Sequence, residues 1–222
     1  SYMLANELYT DSVIPVLTSD TANYALKLME DQKICHLPIV NNVEFLGLIS
    51  ENDIYALNKP EESIGSHPLS ATNAFVYQYQ HIYEVISLAG ELNLSIVPVV
   101  DNKMRYLGSV TLPNLLEKFS QTASIQNPGG IIIVERNHNN YSLEEIARIV
   151  EANDAKVLNC FVSTFPDSMK LEVTLKINKM NIFPILQTFE RYGYVVLASF
   201  TEAEYKNDLQ DRYDSLMNYL NI

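Results

Sequence analysis

The sequence predicts an α+β chain in two parts, a duplicated α/β module followed by a β-α-β-β-α-β domain that carries a further helix at its end. Three observations predict it. A short apolar run with Pro in second place occurs twice, sixty positions apart, as Leu37, Pro38, Ile39, Val40 and as Val97, Pro98, Val99, Val100. The cluster Asn127, Pro128, Gly129, Gly130 then closes the duplicated part. Beyond it, strand-like and helix-like apolar periodicities follow one another in a single β-α-β-β-α-β order.

Within the duplication each element has its counterpart. A polar turn follows each apolar run, then Phe45, Leu46, Gly47 in one copy and Tyr106, Leu107, Gly108 in the other. Ahead of the runs, Ala25, Leu28, Met29 recur as Val85, Leu88, Ala89, the i, i+3, i+4 spacing of a helix with one buried face. Each copy therefore reads strand, helix, strand, turn, strand, helix, with closing helices from Glu51 to Leu57 and from Pro113 to Phe119. Residues 59–66 have the Pro, Gly and charge content of a linker, which sets the copies at residues 1–60 and 61–122.

A second linker covers 121–130. Ile131, Ile132, Ile133, Val134 then form a strand, and Ser142 with Glu145 makes a capping box ahead of Leu143, Ile146, Ala147 and Val150. Strands over 156–164 and 169–177 meet across Phe165, Pro166, Asp167, Ser168, a turn composition. The next helix carries Ile182, Ile185, Leu186 and Phe189, tolerates Pro184 in its first turn and stops at Gly193, after which 194–200 form the last strand. This is the split, ferredoxin-like arrangement, over 129–201. Residues 202–222 form an amphipathic helix with the stripe Tyr205, Leu209, Tyr213, Leu216, Leu220.

Composition excludes several classes of function. Hydrophobic residues make up 47% of the chain, enough for a folded core throughout. A formal net charge of -12, from 27 acidic and 15 basic residues, repels nucleic acid and anionic membranes, so neither is an expected partner. No apolar run approaches the ~20 residues of a membrane span and the first residues lack a signal-peptide pattern, which makes the cytoplasm the expected compartment. Cys35 and Cys160 are expected as buried free thiols.

The richest motif is Gly47, Leu48, Ile49, Ser50, Glu51, Asn52, Asp53, at the mouth of a helix. With Thr21, Ala25, Leu26 and His36, Leu37, Pro38, Ile39, Val40 ahead of it, and inside a repeat, it resembles the CBS domain, which occurs in tandem as a Bateman module. That resemblance implies a disc with two clefts for adenine nucleotides or related ligands. Thr21, His36, Leu37, Pro38, Gly47, Ser50 and Asp53, with Val97 and Thr111 of the second copy, become the candidate ligand-binding residues. The roles have physical sense. Gly47 permits close approach, Ser50 and the free amides of the helix start suit a phosphate, His36 suits a phosphate as well, and Asp53 can accept from two ribose hydroxyls. The second copy reads Gly108, Ser109, Val110, Thr111, Leu112, Pro113, Asn114, with an amide in place of the carboxylate and Ile96 in place of His36, so its cleft is expected weak or empty.

The second part resembles ACT domains by element order, and the combination resembles regulatory proteins of the acetoin-utilisation type. ACT domains pair side by side and often bind amino acids. Here the loop after the first strand reads Arg136, Asn137, His138, Asn139, Asn140, without the Gly that lets such a ligand approach. The resemblances imply a homodimer and a downstream protein that they do not identify.

Nothing in the sequence points to catalysis. His36, His67, His81 and His138 form no metal-binding pattern, and His81 and His138 read as surface residues. There is no G-x-G and no nucleophile elbow. Glu61 with Glu62 and Glu144 with Glu145 are solvated or complement a helix dipole. The expectation is a regulatory protein that is not an enzyme and requires no cofactor, sensing AMP, ADP, ATP or S-adenosylmethionine. The alternatives are a scaffold with empty clefts, or amino-acid sensing through the ACT-like domain.

Overall fold

The structure, a computed structural model, describes residues 1–69 and 71–220, and for 202–206 the backbone path alone. The chain divides into two compact units, Ser1–Phe119 and Ser120–Ile222.

In the first unit, helix α1 (Ala22–Gln32) starts where the Thr21 hydroxyl accepts the Tyr24 N–H at 3.2 Å, and it stops at Lys33, which turns left-handed. It buries Ala22, Ala25, Leu28 and Met29, the face its spacing predicts. Strand β1 (His36–Asn41) pairs antiparallel with β2 (Glu44–Ser50), which runs into α2 (Glu51–Leu57). The second copy repeats this with β3 (Val76–Tyr77), α3 (Ile82–Glu91), β4 (Ile96–Val100), β5 (Tyr106–Thr111) and α4 (Leu112–Ser120). β3 lies parallel to β4, and β4 is antiparallel to β5. The strand expected at the head of the first copy is reduced to one parallel bridge, Val16 to Ile39. Pro15 lacks an N–H, and the Thr18 N–H goes to the Asn41 side chain at 3.1 Å, so Val16 alone extends the ladder.

The segment expected as a free linker packs instead. The Asp20 carbonyl accepts from Ile64 N–H at 2.8 Å, and that of Thr18 from Gly65 at 2.7 Å. Ile64 is buried, and further along Leu48 donates to the Ala71 carbonyl at 3.1 Å. The chain start does the same for the other copy. Ile82 donates to the Met3 carbonyl at 2.8 Å, Ala5 to that of Gln80 at 2.8 Å, and Thr10 and Ser109 exchange both backbone bonds at 2.9 and 3.1 Å. The arm before each copy is thus laid on the other copy. One continuous core results, with Leu37, Ile39, Ile82, Val85, Ile96 and Val97 sealed inside it.

The second unit opens with a short helix, α5 (Ala123–Gln126), inside the stretch expected as a linker. Then follow β6 (Gly130–Asn137), α6 (Leu143–Glu151), β7 (Val157–Thr164), β8 (Lys170–Ile177), α7 (Phe183–Arg191), β9 (Val195–Phe200) and α8 (Glu202–Leu220). Their sheet is antiparallel throughout, in the order β7-β8-β6-β9. Alternation sets its faces: Leu171, Val173, Leu175 and Ile177 of β8 are buried, and Ile132 and Val134 of β6 join them against Ile146 and Ile149 of α6 and Ile185 and Phe189 of α7. Ser142 accepts the Glu145 N–H at 3.2 Å, but the reciprocal half of the expected capping box is missing. The Glu145 carboxylate takes the Tyr194 hydroxyl at 2.6 Å instead. Gly193 sits at φ +81, where a side chain would be strained, and turns the chain from α7 into β9.

On α8, Leu209, Tyr213, Leu216 and Leu220 are all exposed, and Tyr205 lies outside the described side chains. The two thiols differ from expectation. Cys35 is exposed and Cys160 half-buried, because Cys35 precedes β1 at its mouth and does not enter the strand. His81 is no idle surface residue, since its ring caps α3 by accepting the Tyr83 N–H at 3.1 Å.

Candidate functional site

The register of β1 and β2 sets His36 directly opposite Ser50, and α2 begins at the next residue. The hairpin therefore gathers His36, Ser50 and Asp53 at one end of the sheet. There they line a cleft of about 590 Å³, whose opposite wall is Leu92–Ser95 and Leu112 of the second copy. This is within the usual size range of small-molecule sites.

His36 is fixed across that cleft. Its Nδ1 accepts the Ser95 N–H at 3.1 Å and lies 2.9 Å from the Ser95 hydroxyl, whose oxygen accepts the Cys35 N–H at 3.0 Å. An amide can only donate, so Nδ1 must carry the lone pair and Nε2 the proton. Burial pushes the imidazole pKa down and outweighs the upward pull of the Asp53 carboxylate. The ring is a neutral donor.

Ser50 and Asp53 close a reciprocal capping box. Ser50 Oγ accepts the Asp53 N–H at 3.0 Å, and an Asp53 carboxylate oxygen accepts the Ser50 N–H at 3.3 Å. The Glu51 N–H donates to the Cys35 carbonyl at 2.9 Å, and the Tyr55 hydroxyl to Glu51 at 3.2 Å. Of the amides from Ser50 to Asp53, three thus have partners within the chain. Asp53 also borders a small, partly open and mainly apolar cavity of about 40 Å³, lined in part by Ile39, Leu48, Ile54 and Ile64.

The remaining candidates stand elsewhere. The Thr21 hydroxyl is engaged as the cap of α1, and Thr21 does not line the cleft. Leu37, Pro38 and Val97 are core residues, with Leu37 and Val97 fully buried. Gly47 admits a close approach, but what approaches is Ala71 of the exchanged arm, 3.5 Å from where a Cβ would stand. Thr111 accepts the Asn114 N–H at 3.3 Å, and Asn114 donates to the Leu8 carbonyl at 3.4 Å. The site residue that sequence reasoning missed is Ser95. Its signal was there, since it stands sixty positions after Cys35 and meets it across the internal two-fold relation.

In the second unit the Arg136 guanidinium lies 4.2 Å from the centre of the Tyr194 ring and donates to the Tyr192 carbonyl at 3.2 Å, with Glu145 at 3.5 Å. These side chains satisfy one another. Among the described residues no group of His, Cys, Asp and Glu could hold a metal ion, and no helix is long and apolar enough to cross a membrane.

Residues 5–57 match the CBS domain family. The chain is 25% identical over 160 residues, 70% of its length, to an inosine-5'-monophosphate dehydrogenase of Methanocaldococcus jannaschii, and spans about a third, 32%, of that enzyme. Among solved structures it is similar to a CBS domain pair/ACT domain protein of Thermotoga maritima, at 24% identity and a TM-score of 0.48, over 53% of this chain and 96% of that one. It is also similar to CBSX2 in complex with AMP, at 20% identity and a TM-score of 0.47, over 53% of this chain and 96% of that one. The matched residues lie in the first copy of the first unit, and the second copy repeats its helix, strand, strand, helix order.

Proposed function

We propose that this chain is a ligand-sensing regulatory protein with no chemistry of its own, whose CBS cleft takes an adenine nucleotide or a related adenosyl metabolite. The observation that carries the reading is the convergence of His36, Ser50 and Asp53 on one wall of a cleft faced by the other copy. Asp53 uses one carboxylate oxygen to cap α2, which leaves the other for a ribose diol. A ligand seated there touches both copies, so binding couples them.

Titration calorimetry with adenine ligands tests this. One site per chain is expected, strongly weakened by Asp53→Ala and little changed by Asn114→Ala, since Asn114 is already engaged with Leu8. Two equivalent sites, or no binding of any adenine ligand, refutes the reading.

The second unit we read as a ferredoxin-like domain of ACT type that associates the chain into a homodimer. Its strand order and the exposed apolar stripe of α8 support association, while the self-satisfied Arg136 cluster speaks against amino-acid sensing. Light scattering at micromolar concentration should give twice the chain mass, and deletion of 203–222 should weaken the dimer. A monomer mass refutes it. The downstream partner and a cytoplasmic location belong to the same proposal.

A further inference from the structure

Charge at the cleft deepens that reading and rests on it. Among the described residues lining the cleft there is no Lys or Arg, and there are two carboxylates, Glu51 and Asp53. His36 adds no positive charge while it accepts from Ser95. The nearby cations stand outside the cleft lining. Lys27 and Lys33 line the adjoining groove, which also carries Glu30 and Glu51, and Lys59, beyond Asp53, is paired with Glu62 at 3.3 Å. Backbone donors do not make up the difference. The amides of Ser50, Glu51 and Asp53 are taken by Asp53, Cys35 and Ser50, and α2 has only seven residues with two acids in its first turn. A phosphate entering here would meet two carboxylates and only neutral donors, such as His36 and the side-chain amides of Asn52 and Asn93, with no cationic side chain in the lining.

We infer that the cleft selects an adenosyl ligand whose 5′ substituent is neutral or cationic, of which a sulfonium such as S-adenosylmethionine is the type, and discriminates against 5′-phosphates. Asp53 takes the ribose hydroxyls, Nε2–H of His36 offers a neutral donor, and Glu51 faces the positive substituent. The same residues that fail to hold a phosphate suit a cation.

The test is a charge series on the intact chain at pH 7.5 and low salt: S-adenosylmethionine, adenosine, AMP, ADP and ATP, by calorimetry. Affinity should fall along the series, with adenosine at least about tenfold tighter than ATP. Glu51→Gln, checked for native circular dichroism, should weaken S-adenosylmethionine about three- to tenfold and leave adenosine within about twofold. ATP binding as tightly as adenosine overturns the inference and leaves the adenine-sensing reading standing. So does an equal loss for both ligands in Glu51→Gln. Failure of all five ligands to bind overturns both.

Discussion

Ser50 offers a quantitative check on how the site is built, because its hydroxyl holds the start of α2 whether or not a ligand is present. The helix has seven residues and buries one of them, Ile54, so a single cap is a large part of what keeps it formed. Ser50→Ala removes the acceptor of the Asp53 N–H, at 3.0 Å, and leaves only the other half of the box, the backbone N–H of residue 50 donating to the Asp53 carboxylate. Loss of such a cap costs about 1 kcal/mol, within a range of about 0.5–2. For a unit of this size that corresponds to a fall of roughly 3–6 °C in Tm. Thermal denaturation followed by circular dichroism, without ligand, measures it, and Ser50→Thr should keep most of the stability because Thr caps nearly as well. An unchanged Tm in Ser50→Ala, or an equal fall in Ser50→Thr, would show that the box contributes nothing and that Ser50 and Asp53 are not held in place by it.

Other perturbations reach other parts of the molecule. Leu37→Ala, at a fully buried position of the shared core, should cost about 2–5 kcal/mol in urea denaturation, whereas the same loss at exposed Tyr55 should fall within about 0.5. Arg136→Ala should destabilise the second unit by about 1–3 kcal/mol, and Arg136→Lys should recover only part, since it cannot reproduce the guanidinium plane over Tyr194. Asp101 is buried, which by itself raises its pKa, but the Arg105 and Lys103 amides at 3.0 and 2.8 Å and the Arg105 guanidinium at 2.6 Å outweigh this and hold it below the ordinary value. Its contribution is therefore full above about pH 4 and lost as the pH falls through the folded-state value. Denaturation midpoints from pH 7 to pH 2 should fall less steeply in Asp101→Asn than in the unaltered chain, and parallel curves would refute the assignment.

Much of this was legible in the sequence because it follows from local rules. The repeat, the closing helix at Glu51, the hairpin of β7 and β8, and the stop at Gly193 each rest on periodicity or on one residue's backbone preference. What escaped has a common physical cause. The arm over 59–69 is polar and contains Pro and Gly, so its composition says linker, yet its Ile64 and Gly65 amides donate to Asp20 and Thr18 of the first copy, and no local signal encodes that. Thr21 illustrates the limit at the site. A hydroxyl ahead of a helix is both a good cap and a plausible ligand contact, and the choice was made by geometry alone. The capping role of Ser50 and Asp53 was hidden for the same reason, and with it the shortage of free amides that changes which ligand suits the cleft.

The exchanged arms give the duplication a meaning beyond repetition. A chain with one copy would leave the strand edge at Leu48 without the partner that Ala71 provides, and would carry an arm with nothing to cover. Two such chains could complete each other only by swapping arms, so the first unit is in topology a domain-swapped dimer written into one polypeptide. Fusion replaces a concentration-dependent encounter by a tether with an effective concentration of about millimolar. It also releases the two halves from being identical. Once joined, one copy could keep His36 and Asp53 while the other drifted to Ile96 and Asn114, an asymmetry that no symmetric pair of separate chains can hold.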